Sequence, residues 1–220
     1  MPQNAIYNFS NEPTGTHRLI LSEVAHGSKV LDVGCAAGYL GAFLNEQKSC
    51  QVWGIEPDVN SWAQAQGAGY RAVINLPIEQ AATDDKLQGQ KFDCIILADV
   101  LEHTVHPEQI LQALTPLLAT KGKMIISLPN IAHYSIRWAL LHGRWAMTES
   151  GILDRTHLHF YNYAAAVALL RGQGFAINKL RPRGDLERWF RKLGLESVGR
   201  AILFWFPNFW AAQFIFVVSI

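Results

Sequence analysis

The sequence predicts an α/β fold built on a doubly wound, mostly parallel, seven-stranded sheet. Two observations carry this. Short apolar runs alternate with helix-like stretches along the chain, the pattern of a parallel sheet covered by helices on both faces. The first run, Lys29-Val30-Leu31-Asp32-Val33, turns through Gly34 into a helical segment, as a strand feeding a crossover helix does. At 220 residues the chain fits one domain with a sizeable core.

The elements follow in order. After the first strand, Leu40, Phe43 and Leu44 fall on one face of a helix from about Tyr39 to Lys48. Gln51 to Ile55 is the second strand, ended by Glu56-Pro57. Asn60 is the expected cap of the next helix. Tyr70 to Ile74 makes a short third strand, and Phe92 to Leu97 the fourth. Pro107 suits the first turn of a helix reaching about Ala119. Lys123 to Leu128 is strand five, closed by Pro129-Asn130. Beyond it the pattern loosens: a helix over about Ile131–Trp145, a loop, and a helix after Asn162 that ends at Gly172 or Gly174. Phe175 to Leu180 and Gln213 to Ser219 supply strands six and seven.

Composition excludes several classes. A net charge of +1 sets up no field that gathers nucleic acid. Cys35, Cys50 and Cys94 are too few for a disulfide framework and lie in apolar segments, so reduced thiols and a cytoplasmic location are expected. The first residues lack the basic flank and apolar run of a signal peptide. The apolar stretch from Ala201 to Ile220 is broken by Pro207-Asn208 and Gln213, and reads as a buried segment instead of a membrane span.

The chemistry starts at Asp32-Val33-Gly34-Cys35-Ala36-Ala37-Gly38. A strand turning through glycines into a helix brings backbone N–H groups close to a ligand. The Gly-x-x-x-Gly spacing departs from the Gly-x-Gly-x-x-Gly dinucleotide fingerprint. Asp32 is an acid within the strand end, which suits an ammonium-bearing ligand and would repel a pyrophosphate. Glu56, closing strand two, can accept both hydroxyls of a ribose. The glycine spacing and Asp32 disfavour a nicotinamide-dependent oxidoreductase, whereas an acid such as Glu56 is common to both kinds of site.

VLDVGCAAGYLG resembles motif I of the class I S-adenosylmethionine (SAM)-dependent methyltransferases. WGIEPD resembles the acidic end of their second strand, KFDCIILADVLEH their fourth strand and KGKMIISLPN their fifth. The matches run in order from about Val30 to Asn130. The resemblance implies a Rossmann-like sheet with an antiparallel last strand, SAM as cofactor, and methyl transfer to a small-molecule, glycan or lipid-linked acceptor, with O-methylation first among the chemistries. It divides one methyltransferase domain into an N-terminal cap (1–28), a SAM-binding half (29–130) and a substrate half (131–220) with a helical insertion at about 184–206.

By the same resemblance Gly34 and Gly38 shape the loop around the methionine part of SAM, Glu56 binds the ribose, and backbone near Ala98 helps to hold the amine. Ile78 and Glu79 lie beside adenine, and Cys35, Ala36, Tyr39, Leu40, Pro57, Asp99 and Val100 complete the implied cofactor-binding set with Asp32. Ala36 stands where the family has its middle glycine, which a negative φ would accommodate. Pro77 falls about where many relatives place an acid near adenine.

On the acceptor side, His103 follows strand four and is the candidate catalytic base, with packing as the alternative role. The stretch from Ser127 to Tyr161 resembles the corresponding region of ubiquinone-methylating and MetW-like methyltransferases. His133, Tyr134, Arg137, His157 and His159 are therefore candidate acceptor-binding residues, as is Tyr7 from a segment that lids the site in such enzymes. In an extended segment His157 and His159 would share a face, a spacing that suits a metal, but with only Asp154 and His133 as remote further ligands no metal is expected. Asp185 is the expected cap of a helix with Leu186, Trp189, Phe190 and Leu193 on one face. With Phe204, Trp205, Phe206, Phe209 and Trp210 it could touch a membrane surface, the plainer reading being a helix pair covering the sheet edge with its aromatics in the core. A MetW-like SAM-binding partner of a biosynthetic enzyme is the alternative function.

Overall fold

The computed structural model describes residues 15–220, apart from the side chains of Glu187 and Arg188. Tyr7 and most of the expected N-terminal cap lie outside the described residues. The chain runs through α1 (Thr16–Glu23), β1 (Lys29–Val33), α2 (Tyr39–Lys48), β2 (Gln51–Ile55), α3 (Val59–Ala65) and β3 (Ala72–Ile74). Next come α4 (Ile78–Ala81), β4 (Phe92–Ala98), α5 (Pro107–Leu114), β5 (Leu118–Pro129) and α6 (Tyr134–Leu141). The remainder is α7 (Tyr163–Gly172), β6 (Ala176–Arg183), α8 (Leu186–Arg191), α9 (Glu196–Trp205), α10 (Pro207–Trp210) and β7 (Gln213–Ser219).

The strands form one sheet in the order β3-β2-β1-β4-β5-β7-β6. The first five are parallel, and β7 is antiparallel to both its neighbours. This is the doubly wound seven-stranded sheet with an antiparallel last strand that the sequence leads one to expect. Alternating side chains feed two cores, as the two-residue period of a strand requires. Val30, Cys94, Ile96, Ile125 and Ile215 meet Ile20 and Leu21 of α1 and Leu40 and Leu44 of α2 on one face. Leu31, Ile95, Leu97, Ile126, Phe214 and Phe216 meet Ile110 and Leu114 of α5 and Leu170 of α7 on the other. Because β1 to β5 are parallel, their C-terminal ends and the loops that follow share one rim of the sheet.

Several boundaries differ from expectation for local reasons. Asp58 caps α3 in place of Asn60, its Oδ1 accepting the Ser61 N–H at 2.9 Å. α5 stops at Leu114, because Thr115-Pro116 diverts the chain into a 3-10 turn. β5 begins five residues early, at Leu118, and Gly122 passes so near β4 that a Cβ there would meet the Phe92 carbonyl at 2.7 Å. α6 is confined to Tyr134–Leu141. β6 extends through Pro182, which an edge strand tolerates.

The insertion between β6 and β7 is present, with Phe190 and Trp210 half-buried against the core and its other aromatics exposed. Leu186 and Leu203 are buried, whereas Trp189, Leu193, Phe204, Trp205 and Phe206 are exposed, Trp205 to 74%. Asp185 occupies the position before α8 without a side-chain capping bond. No helix among the described residues is long and apolar enough to cross a membrane.

Candidate functional site

The loop after β1 is held by the end of β2. The N–H groups of Gly34 and Cys35 both donate to the Ile55 carbonyl, at 2.8 and 3.0 Å. The Glu56 carboxylate reaches back under the loop, Oε2 accepting the Ala36 N–H and Oε1 the Asp58 N–H, both at 2.8 Å. Asn75 ties the same corner from β3 by donating to the Glu56 and Pro57 carbonyls. Glu56 is buried, and burial raises its pKa. A carboxylate has about four acceptor positions, so two backbone bonds leave it room for hydroxyl donors.

Two glycines are required here. Gly34 has φ +70°, and a Cβ on it would lie 2.8 Å from Val100 Cγ2. Gly38 has φ +86° and precedes α2 with no side-chain cap, and its Cβ would lie 2.7 Å from the Ala68 Cβ. Ala36 lacks the negative φ that would accommodate an alanine here and sits at +46°. The bond to Glu56 pins its N–H, and the strain of a left-handed alanine, about 1–2 kcal/mol, is borne by the loop.

Asp32 lies beneath this loop. Its Oδ2 accepts from the Tyr70 hydroxyl at 2.7 Å, and that hydroxyl accepts the Gly41 N–H at 3.1 Å. Burial pushes the Asp32 carboxyl up to about 7, with the Tyr70 bond opposing and Glu56 adding to the rise. The expected ammonium-facing acid is therefore engaged within the fold, and Tyr70, read from sequence only as a strand residue, is its partner. Cys35 packs with Ala65 and Val73 below the loop, and burial pushes its thiol upward. Leu40 gives its side chain to the core, while Tyr39 is exposed. Ile78 is half-buried at the start of α4; Pro57, Pro77 and Glu79 are exposed.

At the end of β4, Asp99 adopts φ +56°, a left-handed conformation that few residues besides glycine, Asn and Asp enter. Ser127 on β5 holds it twice, its hydroxyl donating to Oδ1 at 2.7 Å and accepting the Asp99 N–H at 3.0 Å. Gln213 of β7 also donates to Oδ1 and in turn accepts from Thr16 of α1. Val100 is buried behind this turn and Ala98 is half-buried before it.

Asp99 is also one wall of a cavity of about 430 Å³. Its lining includes Glu102, His103, Asp154 and His157, together with Ile152, Arg183 and Gln213. His103 and His157 face each other edge to face with centroids 4.7 Å apart. His157 is held by Nδ1 donating to the Ile152 carbonyl at 3.2 Å, and burial and the facing His103 lower its pKa. His103 Nδ1 lies 3.3 Å from the Thr156 carbonyl and 3.1 Å from its hydroxyl. Thr156 is oriented by Asp154 Oδ1, which accepts from its hydroxyl at 2.6 Å. Glu102 is fully buried, with neither carboxylate oxygen bonded. Its pKa is raised well above the carboxylate range by burial and by the Asp99 charge.

Of the acceptor-side candidates, the structure brings His103 and His157 together and separates the rest. His159 turns away to the Val105 carbonyl at 3.3 Å, so it does not share a face with His157. His133, Tyr134 and Arg137 are absent from the cavity lining. His133 is buried against Tyr134 with Nδ1 on Ser135 Oγ at 2.7 Å, and burial lowers its pKa. Tyr134 packs on Phe209 and Trp210, and Arg137 donates to the Ala132 carbonyl at 2.6 Å beneath the Phe209 ring. Tyr134 and Arg137 seat α6 on α10. Glu102, Arg183 and Gln213 were missed, and Asp154 is legible only as a remote metal ligand. Glu102 adjoins His103 in the sequence, but nothing local separates its buried carboxylate from a solvated one.

Among curated proteins, the chain is 31% identical over 110 residues to the ubiquinone biosynthesis O-methyltransferase of Glaesserella parasuis, covering 47% of this chain and 46% of that one. The chain spans about half the length of several of the curated relatives it matches. An S-adenosylmethionine dependent methyltransferase from Mesorhizobium loti superposes with a TM-score of 0.62 at 14% identity, covering 93% of this chain and 97% of that one. The magnesium protoporphyrin IX methyltransferase of Synechocystis, solved with bound SAH (S-adenosylhomocysteine), gives 0.59 at 16%, covering 91% and 77%. At these identities the likeness is one of fold, that of the class I methyltransferases. The model of the family described as methionine biosynthesis protein MetW matches residues 15–218. That span takes in the whole sheet, the loops at its rim and the cavity, and the chain belongs to the MetW family.

Proposed function

We propose that this protein binds SAM at the ends of β1, β2 and β4 and methylates an acceptor held in the adjoining cavity. The observation that carries the reading is Asp99, which belongs both to the rim of strand-end loops and to the cavity wall. The two glycines that no Cβ could replace, the uncapped start of α2 and the part-satisfied Glu56 carboxylate suit a ligand with a carboxylate and a ribose. Bound SAM supplies a methyl group on a sulfonium, already a strong electrophile. The chain's own contribution is then mainly to position the acceptor and exclude water. A volume of about 430 Å³ suits a small molecule or the reactive end of a glycan or lipid-linked acceptor. The polar corner of Glu102, His103 and His157 favours a hydroxyl, hence O-methylation, with His103 as the base that takes its proton.

A second reading, a SAM-binding partner of a biosynthetic enzyme, is favoured by the exposed Trp189, Leu193, Phe204, Trp205 and Phe206 of the β6–β7 insertion. The same surface also suits a lipid surface presenting the acceptor.

Calorimetric titration with SAH is the test, followed by a methyl-transfer screen over hydroxylated lipids, sugars and amines. Saturable SAH binding is expected, weakened by roughly 1.5–3 kcal/mol in Glu56→Ala, the scale of charge-assisted hydrogen bonds. Absence of SAH binding by the folded chain would sink the reading. Methyl transfer by the isolated chain would favour the enzyme over the partner protein.

A further inference from the structure

We propose that Glu102, His103 and His157 form a binding site for a divalent transition-metal ion on the wall of the cavity. One ligand atom from each can be chosen so that all three lie within 4.8 Å of one another. Atoms bound to one ion at about 2.1 Å are at most about 4.2 Å apart, so less than an ångström of closure is needed.

The surroundings of the three side chains support this. A buried carboxylate without hydrogen bonds is costly, and Glu102 is fully buried with both oxygens unbonded. A cation beside it would supply the missing partner. Both histidines are prepared in the same way. A carbonyl can only accept, so Nδ1 of each carries the proton, toward Ile152 O for His157 and Thr156 O for His103. Each Nε2 is thereby left with a free lone pair. This is the outer arrangement that orients metal-bound imidazoles. The main chain fixes the cluster as well: the Glu102 carbonyl accepts the Leu158 and His159 N–H groups at 2.7 and 3.1 Å, tying the His157 segment to the turn after β4. Two imidazoles and one carboxylate suit zinc, manganese or iron(II) better than magnesium or calcium, which prefer all-oxygen sites.

Three protein ligands leave positions open toward the cavity. On the proposed methyltransferase reading, the acceptor oxygen takes one of them and ionises more easily there. Its proton passes to water, the new O–CH3 bond forms as the S–CH3 bond breaks, and that electron pair stays on sulfur. With a metal bound, His103 acts as a ligand and water replaces it as the proton acceptor.

The experiment is titration of the full chain, after chelator treatment, with Zn2+ and Mn2+ alone, alongside SAH titration of the same samples. One saturable metal site is expected, weakened at least tenfold in Glu102→Gln and in His157→Ala and unchanged in His142→Ala. If either cavity variant fails to fold, the wild-type protein decides: Mn2+ should selectively broaden the His103 and His157 imidazole NMR signals. Lack of saturable uptake, affinity unchanged in both cavity variants, or broadening confined to other histidines would overturn the site. Metal binding without SAH binding would leave the site standing and remove the methyltransferase reading; the reverse would do the opposite.

Discussion

Asp32 keeps its proton at a pH where an ordinary carboxyl has lost it, because it is buried beneath the glycine loop with Tyr70 as partner. In the unfolded chain it ionises near the usual 3.8, and in the folded protein near 7. Between those values the native state holds a proton that the unfolded state has released. Stability therefore declines as pH rises from about 4 to about 7 and levels off above. Asp32→Asn keeps an acceptor for the Tyr70 hydroxyl and removes the titration. Denaturant melts at pH 5 and pH 8, with chelator present, should show wild type losing roughly 1–3 kcal/mol more than the variant over that interval. Equal losses would mean that Asp32 is ionised throughout. Glu102 contributes in the same direction in both proteins, so the comparison isolates Asp32. The sequence shows the acid at this position, but its partner lies 38 residues away and carries no local mark.

Among the elements, those whose ends are set by their own residues were legible. β1, α2, β2 and β7 begin and end where glycine, proline or a change of periodicity places them. β5 and β6 run longer than expected because their extra residues are paired by neighbours, an effect no local pattern records. Asn162 is a legible cap: its Oδ1 accepts the Ala165 N–H at 2.8 Å and starts α7. Asn162→Ala should cost about 1 kcal/mol, read as a lower denaturant midpoint with unchanged slope. An unchanged midpoint would show that packing of Ala166 and Leu170 alone fixes the helix. The stretch between α6 and α7 hid the acceptor side, because it folds as turns and isolated bridges without a period. His103 and His157 lie 54 positions apart, and their meeting depends on the backbone bonds to Glu102.

For the whole molecule, a ligand that binds only the native state raises its stability by about 2.7 kcal/mol at one hundred times its dissociation constant. In a chain of 220 residues each kcal/mol is worth roughly 2–4 °C. SAH at that concentration should therefore raise the melting temperature by roughly 5–11 °C, and NAD should not move it. A shift with NAD and none with SAH would return the rim of the sheet to dinucleotide chemistry. The sheet order also governs how the protein is made. β7 lies between β5 and β6, so on the ribosome β6 emerges before the strand that bonds it to the sheet. Until residues 213–219 are synthesised, β5 presents an unpaired edge and the face of β6 lacks its neighbour. Vectorial synthesis thus leaves the sheet open between β5 and β6 until β7 emerges to join them.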